Sequence, residues 1–254
     1  MRVTIHQPTY LPYLGFFAKF AAADRFIFYD TAQWEKGSVH NRQRIRTSGG
    51  SQWLTIPMSR SLEPYTSAKI SYNNPQHPWY EIHWRALEQH YRKARHFECH
   101  QDPLRRMYLE GHPFTLGKFN MQFITYILQM TGLVRPVHDF SQLGVDPLLS
   151  PSEKLAVAVE KVGGTEYISG PSGKKYLDMK PFGRRKITVS FFEFHHPTYP
   201  QYHEKYGGQF LPNMTSLDAL FNIGYLPIDL RPNPGNSVSR APLRHHPSRD
   251  KAEA

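Results

Sequence analysis

Residues 3–30 run Val3-Thr4-Ile5-His6-Gln7-Pro8-Thr9-Tyr10-Leu11-Pro12-Tyr13-Leu14-Gly15-Phe16-Phe17-Ala18-Lys19-Phe20-Ala21-Ala22-Ala23-Asp24-Arg25-Phe26-Ile27-Phe28-Tyr29-Asp30. Val3-Thr4-Ile5 is short and β-branched, which predicts a strand, and Pro8 and Pro12 stop regular pairing after it. From Gly15 to Ala23 apolar residues recur at helical spacing. Asp24 and Arg25 make a turn, and Arg25 to Asp30 is an aromatic-rich run suited to a buried strand. Two strands joined by a helix within about 30 residues form a βαβ unit, expected to be right-handed with parallel strands. The ligand crevice of such a unit lies beyond the C-terminal strand ends. His6, Gln7, Asp30 and Gln33 all fall there.

Outward from this unit, strands continue to alternate with helical patterns. Gln52 to Met58 predicts a third strand and Lys69 to Tyr72 a short fourth. Helical periodicity runs from Trp79 to about Phe97 and from Phe114 to about Thr131, with Gly132 placed to close the second helix. Ser150-Pro151-Ser152-Glu153 opens another helix, with Ser150 as N-cap and Pro151 at N1, running to Val162 before Gly163-Gly164. Tyr167-Ile168-Ser169 and Ile187 to Phe192 read as strands, and Ser216 to Asn222 as a short helix closed by Gly224. The expected fold class is α/β, a Rossmann-like three-layer core with a parallel sheet plus a helical region. Residues 1–230 are expected to form a single domain. Residues 231–254, broken by prolines and carrying net charge +3, read as a disordered basic tail.

Composition narrows the function classes. The 254 residues carry a formal net charge of +10, of which the body keeps +7 without the tail. That surplus favours an anionic partner such as a nucleotide, a phosphosugar or RNA, or else serves solubility alone. The single cysteine, Cys99, excludes an internal disulfide and a cysteine-based zinc finger. No run approaches 18 apolar residues, and the N-terminus has no apolar signal region, so a cytoplasmic protein with no membrane partner is expected.

Five segments carry polar chemistry. His6-Gln7-Pro8-Thr9-Tyr10 sets polar groups and a rigid loop ahead of a helix N-terminus, where free N–H groups favour an anion. Arg42, Arg44 and Arg46 share one face in an extended conformation and suit bidentate phosphate or carboxylate recognition, or charge-protect an edge strand. Ser169 to Leu177 offers small residues with Lys174 and Lys175, though it lacks the spacing of a Walker A loop. His195, His196 and His203 invite a metal reading, but adjacent histidines on a strand point apart and no carboxylate has ligand spacing, so no metal is expected. Asp218 and Asn222, at i and i+4, can share a cleft-facing side or serve as helix caps.

Together the segments resemble the WbqC-like protein family of bacteria over roughly residues 3–225. The matching pieces are His6-Gln7-Pro8 with Tyr10, Pro12, Gly15, Phe16 and Phe17; Asp24 with the strand to Asp30; Gln33; and Asn41-Arg42 with Arg44-Ile45. Further pieces are Trp53 to Pro57, Tyr167 to Gly170 with Tyr176-Leu177, His196 to Tyr199 with Gln201, and Ser216-Leu217-Asp218 with Leu220-Phe221-Asn222 and Gly224. Tyr13 stands where the family usually has Trp, and Tyr29-Asp30-Thr31 where it often has paired Asp.

The resemblance implies a role in surface-polysaccharide or natural-product biosynthesis. The implied reaction is amide formation on an amino sugar or related amine, such as glycyl transfer. No cofactor is established, and ATP or aminoacyl-tRNA is a possible donor. A weaker similarity links strand, proline turn and Gly-led helix to pantothenate synthetase and other HIGH-motif nucleotidyltransferases. Here Tyr13-Leu14-Gly15-Phe16 lacks both histidines of that motif. The alternatives are therefore an aminoacyl-tRNA-recognising RNA-binding protein or a nucleotidyltransferase-like enzyme. The expected catalytic residues are His6, Asp30 and Gln33, with His6 as general base or hydrogen-bond donor and Asp30 orienting it or deprotonating an amine. The expected substrate contacts are Gln7, Tyr10, Asn41, Arg42, Arg44, Lys174, His196, Tyr199, Gln201, Asp218 and Asn222. The partner is an anionic small molecule or nucleotide-linked substrate, with tRNA as a further possibility. The oligomeric state stays open.

Overall fold

A computed structural model describes residues 1–34, 39–59, 63–72, 74–111, 115–230 and 238–240. The opening strand is β1 (Arg2–His6), followed by α1 (Leu14–Ala22) and β2 (Arg25–Phe28). β1 pairs in parallel with β2 on one side and with β6 (Glu166–Ser169) on the other. β5 (Val137–Asp139) extends the sheet beyond β2, and β7 (Thr188–Phe192) extends it beyond β6, both in parallel. The order β5-β2-β1-β6-β7-β8 makes a doubly wound sheet of five parallel strands and one antiparallel edge strand. The winding reverses direction between β1 and β6, which is where open α/β sheets form their crevice.

Alternation along the strands explains the layers. Val3, Ile5, Ile27, Tyr167, Val189 and Phe191 point to one face, against α5 (Pro151–Lys161) and α6 (Lys180–Arg184). Phe26, Phe28, Ile168 and Phe192 point to the other, against α1. Gly164 permits the tight approach of α5's end to β1, because a Cβ there would lie 2.5 Å from Val3. The Ser150 cap and Pro151 at N1 form as expected, with Ser150 Oγ accepting from the Glu153 N–H at 3.3 Å.

Beyond α1 lies a second, larger apolar cluster. It is built by α2 (Trp79–Tyr91), α3 (Phe97–Leu109), α4 (Leu116–Met130) and α7 (Ser216–Ile223), with the inner face of a hairpin of β3 (Arg42–Thr47) and β4 (Gly50–Thr55).

Several expectations change. The helix expected from Trp79 to about Phe97 ends at Tyr91, and Phe97 instead opens α3 after a turn. Tyr91 and Phe97 both pack on Phe221, which a straight helix would prevent by turning them to different faces. α3 continues through Pro103, a residue that marks a helix break in sequence. The strand expected over Gln52–Met58 ends at Thr55 and belongs to the separate hairpin. Lys69–Tyr72 makes only isolated bridges to Met58 and Thr115. β5 is too short to be read from periodicity. Phe114, the expected start of α4, lies outside the described residues, as does the basic tail apart from Val238–Arg240. Those three residues form β8 and cover the open edge of β7, which otherwise presents unpaired backbone groups. Among the described residues no helix is long and apolar enough to cross a membrane.

A buried carboxylate ties the helical region together. Asp218, on α7, accepts from Tyr91 and Tyr199 hydroxyls at 2.9 and 2.8 Å and from Gln201 Nε2 at 2.9 Å. Tyr91 in turn accepts the Arg46 N–H of β3 at 2.8 Å. Asp218→Ala should therefore lower unfolding free energy by about 3 kcal/mol, because buried donors lose their acceptor. Urea denaturation monitored by circular dichroism measures this, and an unchanged midpoint would show that the carboxylate holds nothing together.

Candidate functional site

β1 is paired on both edges and buried from Val3 to Ile5, and His6 stands at its C-terminal end, half-buried. The imidazole Nδ1 lies 2.8 Å from the Gln7 carbonyl. A carbonyl only accepts, so Nδ1 carries the proton and Nε2 keeps a lone pair. The ring meets the edge of Phe16 at 5.0 Å between centroids. Burial first, then the nearby charge of Lys19, pulls the His6 pKa well below its ordinary value, with His40 adding to the effect.

Lys19 comes from α1 and is only 6% exposed. Its ammonium reaches the Ile5 carbonyl at a long 3.5 Å, and among the described residues it has no ion pair. Burial pushes its pKa down to about 7. His40, also desolvated, is pushed down to about 4. Two neutral imidazoles and an amine close to half-protonation at neutral pH therefore gather at the switch point of the sheet.

A second set of residues holds this edge in place. Asn120, fully buried on α4, donates to the Pro8 and His40 carbonyls at 3.1 and 2.9 Å. The Tyr10 N–H donates to the same His40 carbonyl at 3.0 Å. Leu11 adopts a φ of +42°, which a non-glycine residue holds only under constraint from its surroundings. Tyr13 bridges to Thr215, and its ring lies over Gly15, where a Cβ would approach to 2.4 Å. The loop is thus fastened to α4, to the segment before β3 and to the start of α7.

The remaining expected residues are not brought together at one point. Asp30 does not orient His6: its oxygens accept the Ser141 N–H at 2.9 Å and the Ser141 hydroxyl at 2.6 Å, capping the turn after β5. Gln33 is exposed and bridges to Pro64. The Gln7 carbonyl serves His6 and accepts from Thr9 at 3.2 Å. Tyr10 is fully buried, bonded to His83 at 2.9 Å and to Tyr108. Asn41 donates to the Ile56 carbonyl at 2.8 Å. Arg42 and Arg44 lie over the Trp53 ring, whereas Arg46 turns inward to the carbonyls of Thr47, Gly50 and Gln209.

Lys174 is engaged by Glu193 at 3.0 Å instead of reaching across the crevice. His196 copies the His6 arrangement, with Nδ1 2.8 Å from the Pro197 carbonyl, and its neighbour Phe194 meets Tyr13 edge-on. Tyr199 and Gln201 bind Asp218, which is fully buried and shares no cleft-facing side with Asn222. Asn222 accepts from the Tyr202 N–H at 2.7 Å. Among the described residues no cluster of three metal-ligating side chains occurs.

Lys19, His40, Asn120 and His83 were not singled out from sequence. Lys19 had a usable signal, since it is the one charge in the apolar run from Leu14 to Ala22. The others become visible only when distant segments meet.

The chain matches the WbqC-like protein family over residues 7–228. It is 34% identical over 227 residues to the uncharacterized protein Rv1507c of Mycobacterium tuberculosis (strain ATCC 25618 / H37Rv), covering 88% of this chain and 94% of that protein. No solved structure matches.

The depressed Lys19 pKa has a measurable consequence for stability. Between about pH 7 and 10.5 the unfolded chain holds a proton that folded Lys19 gives up. This lysine therefore opposes folding in full below about pH 7 and progressively less as the pH rises. Lys19→Met should be more stable than the unsubstituted protein at pH 7, with the gap narrowing toward pH 10. A gap that stays constant across a urea-denaturation pH series would refute the assignment.

Proposed function

Since the chain belongs to the WbqC-like protein family, we propose that it is a transferase forming an amide, by acyl or aminoacyl transfer such as glycyl transfer, on an amino sugar or related amine. The observation that carries this reading is Lys19, a buried amine with pKa about 7 that reaches the Ile5 carbonyl, one residue before His6, and has no ion-pair partner among the described residues. A general base works best when its pKa lies near the operating pH.

In the step itself, the acceptor amine attacks the acyl carbon of an ester or acyl phosphate. The new C–N bond forms, the bond from the acyl carbon to the donor oxygen breaks, and the amine proton passes to Lys19. Lys19 then returns it to the departing oxygen when the donor is an ester. His6 Nε2 accepts a hydrogen bond from the attacking amine and holds it on the acyl carbon. Asn120 acts by positioning, since it fixes the two loops that present His6 and His40.

The test is to incubate the protein with a panel of nucleotide-linked amino sugars and radiolabelled glycine, supplied either with ATP or as glycyl-tRNA. An acceptor that gains one glycyl group in amide linkage, detected by mass spectrometry, is the expected product. Lys19→Met and His6→Gln should each lower that rate by about 10² or more while remaining folded. An undiminished rate in Lys19→Met would remove the amine from the mechanism.

A further inference from the structure

A groove of about 670 Å³ runs between β4 and the first turns of α2. Its lining includes Trp53, Thr55, Tyr72, Trp79, Tyr80 and His83. We infer that this groove holds the base of a nucleoside diphosphate stacked on Trp53, with Arg42 and Arg44 meeting the phosphates. Three observations carry the inference. First, the volume lies within the range of about 300–1,000 Å³ that small-molecule sites occupy.

Second, the strand register brings the groups together. Arg44 stands directly opposite Trp53 in the hairpin ladder and Arg42 opposite Thr55, so all four side chains share one face. The opposite face buries Ile45 and Leu54 in the core, which anchors the register. Arg42 lies 4.7 Å and Arg44 5.6 Å from the Trp53 ring centre, yet Trp53 remains 46% exposed. A large indole left so open on a polar hairpin is available to a second flat ring. Stacking of this kind tolerates any base, while guanidinium groups suit phosphate oxygens.

Third, Trp79 lines the same groove at only 7% exposure, and its indole N–H has no acceptor among the described residues. The nitrogen itself is buried behind the groove wall, so a base with a carbonyl or ring-nitrogen acceptor reaches it only where that wall parts. The groove floor is stiff, because His83 is bonded to Tyr10, which continues to Tyr108. That chain also joins the floor to the loop carrying His6, so a nucleotide seated here lies on structure continuous with the catalytic edge.

Calorimetric titration with ADP, UDP, adenosine and inorganic pyrophosphate tests the inference. ADP and UDP should both bind, and more tightly than adenosine or pyrophosphate. Trp53→Ala should weaken ADP by about tenfold or more and leave pyrophosphate unaltered, with Trp53→Phe retaining most of the affinity. Arg44→Ala should weaken ADP and pyrophosphate together. The inference is overturned if neither diphosphate binds, if Trp53→Ala binds ADP as well as the unsubstituted protein, or if pyrophosphate binds as tightly as ADP. Binding of oligo(U) RNA that excess ADP does not displace would overturn it in favour of an RNA surface. The assay reads binding without turnover, so its outcome is separate from that of the amide chemistry.

Discussion

The confinement of β1 governs this structure. Its residues pair on both edges and its centre, Val3 to Ile5, is buried on both faces, so toward the C-terminal end the first side chain not fully buried is His6. The chain then exits through Pro8 and Pro12, whose missing N–H groups end the pairing. Everything polar that follows is delivered to one edge of the sheet, beside the point where the strand order turns back on itself. The strained Leu11 and the two carbonyls held by Asn120 are the local cost of making that exit sharp.

The same confinement sets the electrostatics. Lys19 is carried on α1, whose whole length is buried, so its ammonium is brought against the end of β1 without a carboxylate to neutralise it. Desolvation then acts alone and favours the uncharged amine, as it favours the neutral forms of His6 and His40. Other polar groups nearby are spoken for. Asp30 caps the turn at Ser141, Lys174 is paired to Glu193, and Asp218 is saturated by two tyrosines and a glutamine. The reactive potential of the edge is thereby concentrated in few groups.

The hairpin and the helical region add a second surface with different physics. One hairpin face buries Gln43, Ile45 and Leu54, while the other carries Arg42, Arg44 and Trp53. α2 supplies the opposing wall of the groove. His83 and Tyr10 connect this wall to the loop after β1.

Local patterning was enough to identify the βαβ unit, the Ser150-capped helix, β6, β7 and the α/β class, because each depends on near-neighbour spacing that survives in any context. It was also enough to place His6 and Gln7 at a C-terminal strand end. It could not locate β5 or β8, whose few residues are strands only because a sheet edge is there to receive them. Nor could it end the helix at Tyr91, where Tyr91 and Phe97 both pack on Phe221 from the far end of the chain. The assignment of Lys19, Asn120 and Asp218 likewise belonged to the assembled molecule. A side chain's chemistry depends on how much water is left around it and which partners reach it, and those partners come from segments more than a hundred residues away, as with Asn120 and Pro8.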